Sequence, residues 1–283
     1  MRMTNADQLK ARVKNVATQR GVDPRVMLRI YMMERFLDRV SRSSYRDSFV
    51  LKGGMLISYL IGVNLRTTMD IDTTMQNTSL SIQAAQDFSQ EVAAIDVGDG
   101  VSFTTLSIEE IMDEADYPGL RISLLAYFDG TRTPVKLDLS AGDVITPEAV
   151  LTQLDVMFRD PITMLVYPTE TVIAEKLQTV IGRATFNTRM RDFYDLHALG
   201  HLLHNQIDTT HLKGAVARTF ERRQSSEQLK RWEHVISSLE SSEHMASQWQ
   251  AYAQRYDWAH DLVWEDVLGA TRQLLVIATT GAS

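Results

Sequence analysis

The chain has 283 residues, 44% of them hydrophobic and 23% charged, enough for one large globular domain or two modest ones with a core that needs no covalent staples. It contains no cysteine, which excludes disulfides, thiolate metal sites and cysteine nucleophiles and fits a reducing cytoplasm. A formal net charge of -7 argues against a surface that coats nucleic acid wholesale, while leaving room for a local basic groove.

Residues 1–12 are polar and lack the apolar stretch of a signal peptide, and the longest apolar run, 274–278, is too short to span a bilayer. A cytoplasmic protein without a membrane segment is expected. Thr4 reads as the N-cap of a helix over 6–20, with Leu9, Val13, Val16 and Ala17 on one face and Gly21 as its stop. Pro24 opens a second helix to about residue 40, with Met27, Ile30, Tyr31, Phe36 and Leu37 as its apolar set. Residues 41–47 form a polar connection. Phe49, Val50 and Leu51 suggest a short strand, broken by Gly53-Gly54 before a helix over 55–61. Strand character returns over 68–74, a helix follows over 81–94, and strands are expected at 101–108, 120–127 and 135–139, with Asp129-Gly130 as a hairpin turn. Residues 48–165 are therefore mixed α and β.

From Pro168 the pattern is helical. Thr169 is the expected cap of a helix to 183, followed by helices over 189–204, 211–223, 228–239, 247–256 and 262–277, with a frayed tail at 279–283. The fold class that follows is α/β (α+β): a mixed β-sheet core with N-terminal helices and a C-terminal helical bundle. The expected division is residues 1–165 and 166–283.

Four constellations could carry chemistry. In Arg66-Thr67-Thr68-Met69-Asp70-Ile71-Asp72, a strand would turn Asp70 and Asp72 to one side and Ile71 to the core. Two neighbouring carboxylates repel, and a divalent cation between them relieves that; Mg²⁺ suits because it takes few protein carboxylates and completes its shell with water and phosphate. Gly53-Gly54 before a helix lets backbone approach an anion at the helix N-terminus, here a triphosphate. Asp138, between Leu137 and Leu139, adds a third carboxylate from a neighbouring strand, which two-metal phosphoryl transfer needs. Each of these alone also reads as an ordinary turn or edge acid.

The third constellation is Glu175-Lys176 beside the buried stripe Ile173, Leu177, Val180 and Ala184, where Lys176 could neutralise phosphate charge. The fourth runs from Arg189 to Leu196: Asp192 and Asp195 share a helix face, and Arg191 stands four residues before Asp195. These arginines could grip phosphate or nucleic acid while an acid orients a base or activates the acceptor. His197, His201, His204 and His211 lack metal-ligand spacing, and Trp232, Trp249, Trp258 and Trp264 read as packing residues. The arginines of 218–223 read as a solvated face that could extend an RNA-binding surface.

Taken in order, these stretches resemble the AbiEii/AbiGii toxin family of the polymerase-β-like nucleotidyltransferase superfamily. The matching segments are Phe49 through Gly54, Arg66 through Asp72, Val135 through Asp138 with the trailing Gly142-Asp143, Glu170 through Leu177, and Arg191 through Leu196. The resemblance spans roughly residues 30 to 200. It implies a nucleotidyltransferase core in which Gly53, Gly54, Asp70 and Asp72 match the first motif, Asp70 and Asp72 ligate metal, and Asp138 is the third acid. It further implies that Lys176 contacts nucleotide and that Asp192 and Asp195 form the fourth, acidic motif. Thr68 and Arg191 join the expected nucleotide-binding set. Met55 departs from the Ser or Thr many relatives carry there, which removes a hydroxyl contact to phosphate and leaves the backbone amides.

The function this implies is that of a toxin in a bacterial toxin–antitoxin or phage-defence pair. It would move a nucleoside monophosphate from a nucleoside triphosphate to an RNA acceptor, with tRNA expected, release pyrophosphate and block translation. Mg²⁺ (one or two ions) is the expected cofactor, and nucleoside triphosphate, tRNA and a cognate antitoxin the expected partners. A small-molecule or protein side-chain acceptor, and a catalytically silent nucleotide- or partner-binding module, are the rival readings.

Overall fold

The computed structural model describes residues 3–112 and 118–280, with the side chains of 112 and 118 left aside. Two N-terminal helices come first, α1 (Ala6–Arg20) and α2 (Pro24–Val40). Asn5, not Thr4, caps α1: its side chain accepts the Gln8 N–H at 2.9 Å, while the Thr4 hydroxyl donates to the Gln8 side chain. Pro24 starts α2 as the sequence predicts, and Asp23, not singled out there, is its N-cap. This helix is buried at Met27 and throughout Ile30–Val40, including Glu34, Arg35, Asp38 and Arg39, so it is a helix with charges inside. Arg39 donates to both oxygens of Asp99 at 2.9 Å, which offsets part of that desolvation.

Next come β1 (Phe49–Lys52), α3 (Gly53–Ile61), β2 (Ile71–Met75), α4 (Ile82–Ala94), β3 (Ser102–Met112), β4 (Pro118–Phe128), β5 (Thr131–Ala141), β6 (Val150–Leu154) and β7 (Ile162–Val166). They form one seven-stranded mixed sheet in the order β3-β4-β5-β2-β1-β7-β6. Pairs β1–β7 and β2–β5 are parallel and the other neighbours antiparallel. Asp129-Gly130 makes the expected two-residue hairpin turn, both residues at positive φ (42° and 79°), which matches strand twist. Strands β6 and β7 were not expected; each has five residues, and the alternation of the buried Ile162, Met164 and Val166 along β7 is a short strand signal in the sequence.

Alternation along β5 builds the core. Thr133, Val135, Leu137 and Leu139 are buried, Ile71 and Thr73 lie beside Leu137 and Leu139, and α2 packs on β5 from that side. Asp138 and Asp72 leave by the other face.

The chain divides into two compact units. The first holds the described residues to Asp143 together with Val150–Val166; the second holds Val144–Ala149 and the described residues from Tyr167. The second is helical: α5 (Thr169–Arg183), α6 (Met190–Leu202), α7 (Thr209–Arg222), α8 (Ser226–Lys230), α9 (Trp232–Glu240), α10 (Glu243–Arg255) and α11 (Trp264–Thr280). Two expectations fail here. Pro168 occupies the cap position of α5 without a side-chain cap bond, so Thr169 is its first helical residue. The single helix expected over 228–239 is two, parted at Arg231, whose ψ of 17° leaves the helical range. Helix α11 includes Thr279 and Thr280, and the rest of the expected frayed tail lies outside the described residues. Trp249 and Trp264 are core residues as read, whereas Trp232 and Trp258 are half-buried. Among the described residues no helix is long and apolar enough to cross a membrane.

Candidate metal centre

Strand β1 runs into α3 without a loop: Lys52 is the last extended residue and Gly53 the first helical one. Gly53 has φ +63°, and a Cβ on it would stand 2.1 Å from Asp72 Oδ2. A Cβ on Gly54 would stand 2.8 Å from both Arg66 Nη2 and Thr68 Oγ1. The two glycines are thus required by acidic and polar side chains pressed against the turn. Gly54 N–H, a first-turn donor without an intrahelical acceptor, donates to Asp72 Oδ2 at 3.1 Å. The anion that the structure brings to this helix start is a protein carboxylate.

Asp70 lies just before β2, since the strand begins at Ile71 rather than Thr68 as the sequence suggested. Its Oδ1 accepts the buried Thr68 hydroxyl at 2.9 Å, so Thr68 orients Asp70 directly. Asp72 on β2 is the direct register partner of Asp138 on β5, and facing partners in neighbouring strands share a face. Asp70, Asp72 and Asp138 each offer a carboxylate oxygen, and these oxygens lie within 4.8 Å of one another. All three are half-buried. Three converging hard oxygen donors fit Mg²⁺ or Mn²⁺ and fit soft metals poorly.

Two features of this face were not read from the sequence. Arg121 on β4 forks onto Asp138, Nε to Oδ1 at 2.7 Å and Nη2 to Oδ2 at 2.6 Å. The hydrogen bond to Asp138 raises the Arg121 pKa, burial opposes this, and the charges of Asp138, Asp70 and Asp72 raise it further. On the other side, Lys52 is buried and donates to Asp143 Oδ2 and Ser140 Oγ, both at 2.8 Å. The same Asp143 oxygen accepts the hydroxyls of Thr74 and Ser140. Burial works to raise the Asp143 pKa, but the Lys52 ammonium and these hydrogen bonds outweigh it and hold the carboxyl well below the usual range.

The remaining expected site residues belong to the second unit. Lys176 on α5 is buried and not on an open wall as the sequence suggested; its ammonium pairs with Asp192 and, at 3.3 Å, with Asp195, both on α6 and both buried. Arg191 lies over the Tyr256 ring at 5.9 Å, and Asp195 is taken up by Lys176. Glu175, next to Lys176, pairs with Arg223 at 3.2 Å, so one arginine of the expected solvated 218–223 face is an internal strut of this unit. Among the described residues no histidine joins an acidic or metal-competent cluster.

A family model described as "Nucleotidyl transferase AbiEii toxin, Type IV TA system" matches residues 35–269. No curated protein matches the chain. Two solved structures from Helicobacter pylori are similar in fold. One, "Crystal structure of JHP933", is 17% identical with a TM-score of 0.49 over 90% of each chain. The other, "Crystal structure of putative nucleotidyltransferase", is 18% identical with a TM-score of 0.46 over 88% of this chain and 90% of that one.

Proposed function

The chain belongs to the AbiEii nucleotidyltransferase family of type IV toxin–antitoxin systems, and from that premise we propose that it transfers a nucleoside monophosphate from a nucleoside triphosphate to the hydroxyl end of an RNA, with tRNA as the acceptor, and so stops translation in the bacterial cytoplasm. One observation carries this reading: three aspartates from the neighbouring parallel strands β2 and β5, and the turn before β2, direct their oxygens to one point.

Asp70 and Asp72 would hold Mg²⁺, with Asp138 completing the set. Bound there, the ion supplies charge to a triphosphate and lowers the cost of ionising a hydroxyl. The chain's own residues do the rest. Thr68 fixes the rotamer of Asp70, and the Gly54 amide fixes that of Asp72. Asp138 receives the acceptor proton as the hydroxyl oxygen attacks the α-phosphorus and the bond to pyrophosphate breaks. Gly53 and Gly54 serve the nucleotide through Asp72, which they allow to lie against the helix start. Within the second unit the Lys176 ammonium is held by Asp192 and Asp195, with Arg191 on the same helix as those acids, an arrangement suited to contacting phosphate. Catalysis of this kind is mainly positioning and charge neutralisation.

The test is incubation with Mg²⁺, each labelled nucleoside triphosphate in turn, and total tRNA. Label should enter RNA with the wild type. Asp72→Asn, which keeps an acceptor for the Gly54 amide but loses the charge, should reduce it at least about 100-fold with circular dichroism unchanged. Label entering a small molecule or protein would change the acceptor; undiminished transfer by Asp72→Asn would remove the assignment of the site.

A further inference from the structure

Five adjacent strands each contribute one charged residue to a single row. Across the sheet these are Glu109 on β3, Arg121 on β4, Asp138 on β5, Asp72 on β2 and Lys52 on β1, each the direct register partner of the next. Facing partners project to the same side, so the row is one surface with signs minus, plus, minus, minus, plus. Lys52 is committed to Asp143. Arg121 stands between two acids and holds only one of them: Glu109 is exposed and makes no ion pair among the described residues.

The Arg121 fork uses both oxygens of Asp138. Asp138 is also one of the three carboxylates that converge for a cation. A bidentate arginine pair takes one in-plane lone pair on each oxygen and sets a positive charge against the carboxylate, both of which weaken it as a ligand for a second cation. The guanidinium and the cation therefore compete for one side chain. The Arg121 side chain is 34% exposed against 16% for Asp138, so the arginine has an open way off and the aspartate does not.

We infer that Arg121 is a movable cation that guards Asp138: it forks onto that carboxylate in the metal-free protein, and when Asp138 turns to a divalent cation the guanidinium swings toward Glu109 and binds a phosphate of the substrate. This rests on the nucleotidyltransferase reading above. Arginine suits both positions, because its planar fork matches phosphate as it matches carboxylate. Glu109 supplies the second resting place, which makes the exchange a shift between two populated positions.

Mn²⁺ is the probe, with free ion counted by electron paramagnetic resonance in the presence of the full chain and no nucleotide. Wild type should bind Mn²⁺ at a site that Asp72→Asn removes. Arg121→Ala should bind it roughly tenfold tighter, since a charge-assisted competitor is gone. Glu109→Gln should shift binding the other way, severalfold weaker, because the guanidinium loses its alternative partner. At saturating Mn²⁺, Arg121→Ala should still transfer nucleotide at least about tenfold more slowly, and Arg121→Lys should recover part of the rate. Unchanged or weaker Mn²⁺ binding by Arg121→Ala overturns the guarding role, and so does tighter binding by Glu109→Gln, a substitution of an exposed residue that the fold tolerates. Tighter binding with undiminished transfer overturns the phosphate role. Wild type that binds no Mn²⁺ in an Asp72-dependent way overturns the metal reading itself and this inference with it.

Discussion

Replacing Gly53 with alanine would place a methyl carbon 2.1 Å from Asp72 Oδ2 and 2.6 Å from Asp72 Cβ, far inside the separation at which carbon and oxygen attract. The backbone there has φ +63°, a region that costs an L-residue about 1–2 kcal/mol. The protein carries its own control. Gly21 has φ +65°, and a Cβ on it would meet nothing within 4 Å. Gly21→Ala therefore isolates the backbone penalty, reduced by about 0.4–1 kcal/mol through the stiffer unfolded chain, for a net loss near 1 kcal/mol. Gly53→Ala bears the same penalty plus about 1–3 kcal/mol for overpacking. At roughly 2–4 °C per kcal/mol for a unit of this size, Gly21→Ala should lower the melting temperature by about 2–4 °C and Gly53→Ala by about 5–15 °C. Activity should separate the two further. The overlap is relieved by moving Asp72, and about 1 Å of misplacement costs on the order of 100-fold in rate. Thermal denaturation followed by circular dichroism, with the labelled-nucleotide assay on the folded protein, reads both effects. If the two alanine variants matched in melting temperature and transfer, the close approach of Asp72 to the glycine turn would not be what makes Gly53 necessary.

Lys52→Met removes the ammonium that faces Asp143 inside the sheet and should cost about 3–5 kcal/mol in urea denaturation at pH 7, because a buried carboxylate is left without that cation. Asp143 has a folded pKa below its unfolded value, so the pair stabilises above about pH 4 and its contribution fades as pH falls toward the depressed folded value. Wild-type and Lys52→Met stabilities should converge in acid; a gap that persisted there would contradict the ion-pair account. Glu34 behaves oppositely: burial raises its pKa from 4.5 to about 7, against the Met157 N–H bond and the Arg35 charge, which lower it. A raised folded pKa gives stability that is complete below about pH 4.5 and is lost as pH rises to about 7, some 3 kcal/mol in all. Glu34→Gln, which keeps an acceptor for the Met157 amide, should flatten that slope, and an unchanged slope would place the titrating group elsewhere.

What could be read from the sequence was what depends on neighbours along the chain. Pro24, Gly21 and Asp129-Gly130 act within a few residues, and each began, ended or turned an element where the structure does. Asp70, Asp72 and Asp138 were legible because alternation fixes a face once a strand is assumed, and β2 and β5 turned out to be neighbours. Arg121 could have been found by the same logic. From the two-residue turn that pairs Phe128 with Thr131, counting equally along both arms brings Arg121 opposite Asp138. Lys52 and Asp143 could not: their meeting depends on β1 lying beside β2 and β2 beside β5, an order that no local spacing encodes. The same limit misplaced Lys176, whose burial comes from Asp192 and Asp195 on another helix and not from its own position in α5.

The distribution of charge on the sheet face bears on why the acids can be folded in before any cation arrives. Asp70, Asp72 and Asp138 bring three negative charges to one point, and like charges at that separation oppose folding unless something offsets them. Lys52 is a buried cation of the same row and pairs with Asp143, and Arg66 is buried beside Gly54. Arg121 forks onto Asp138 and offsets one of the three charges. Asp70 and Asp72 each also accept a neutral donor, the Thr68 hydroxyl and the Gly54 amide, which fixes their direction. The two acids of the D-x-D pair are thus each aimed by a neutral donor, while Asp138 is forked by Arg121 from β4. On the guarding role proposed for Arg121, a divalent ion has to displace this fork to use Asp138 fully, so the Mn²⁺ affinity of Arg121→Ala is the reading that decides how the three charges are balanced.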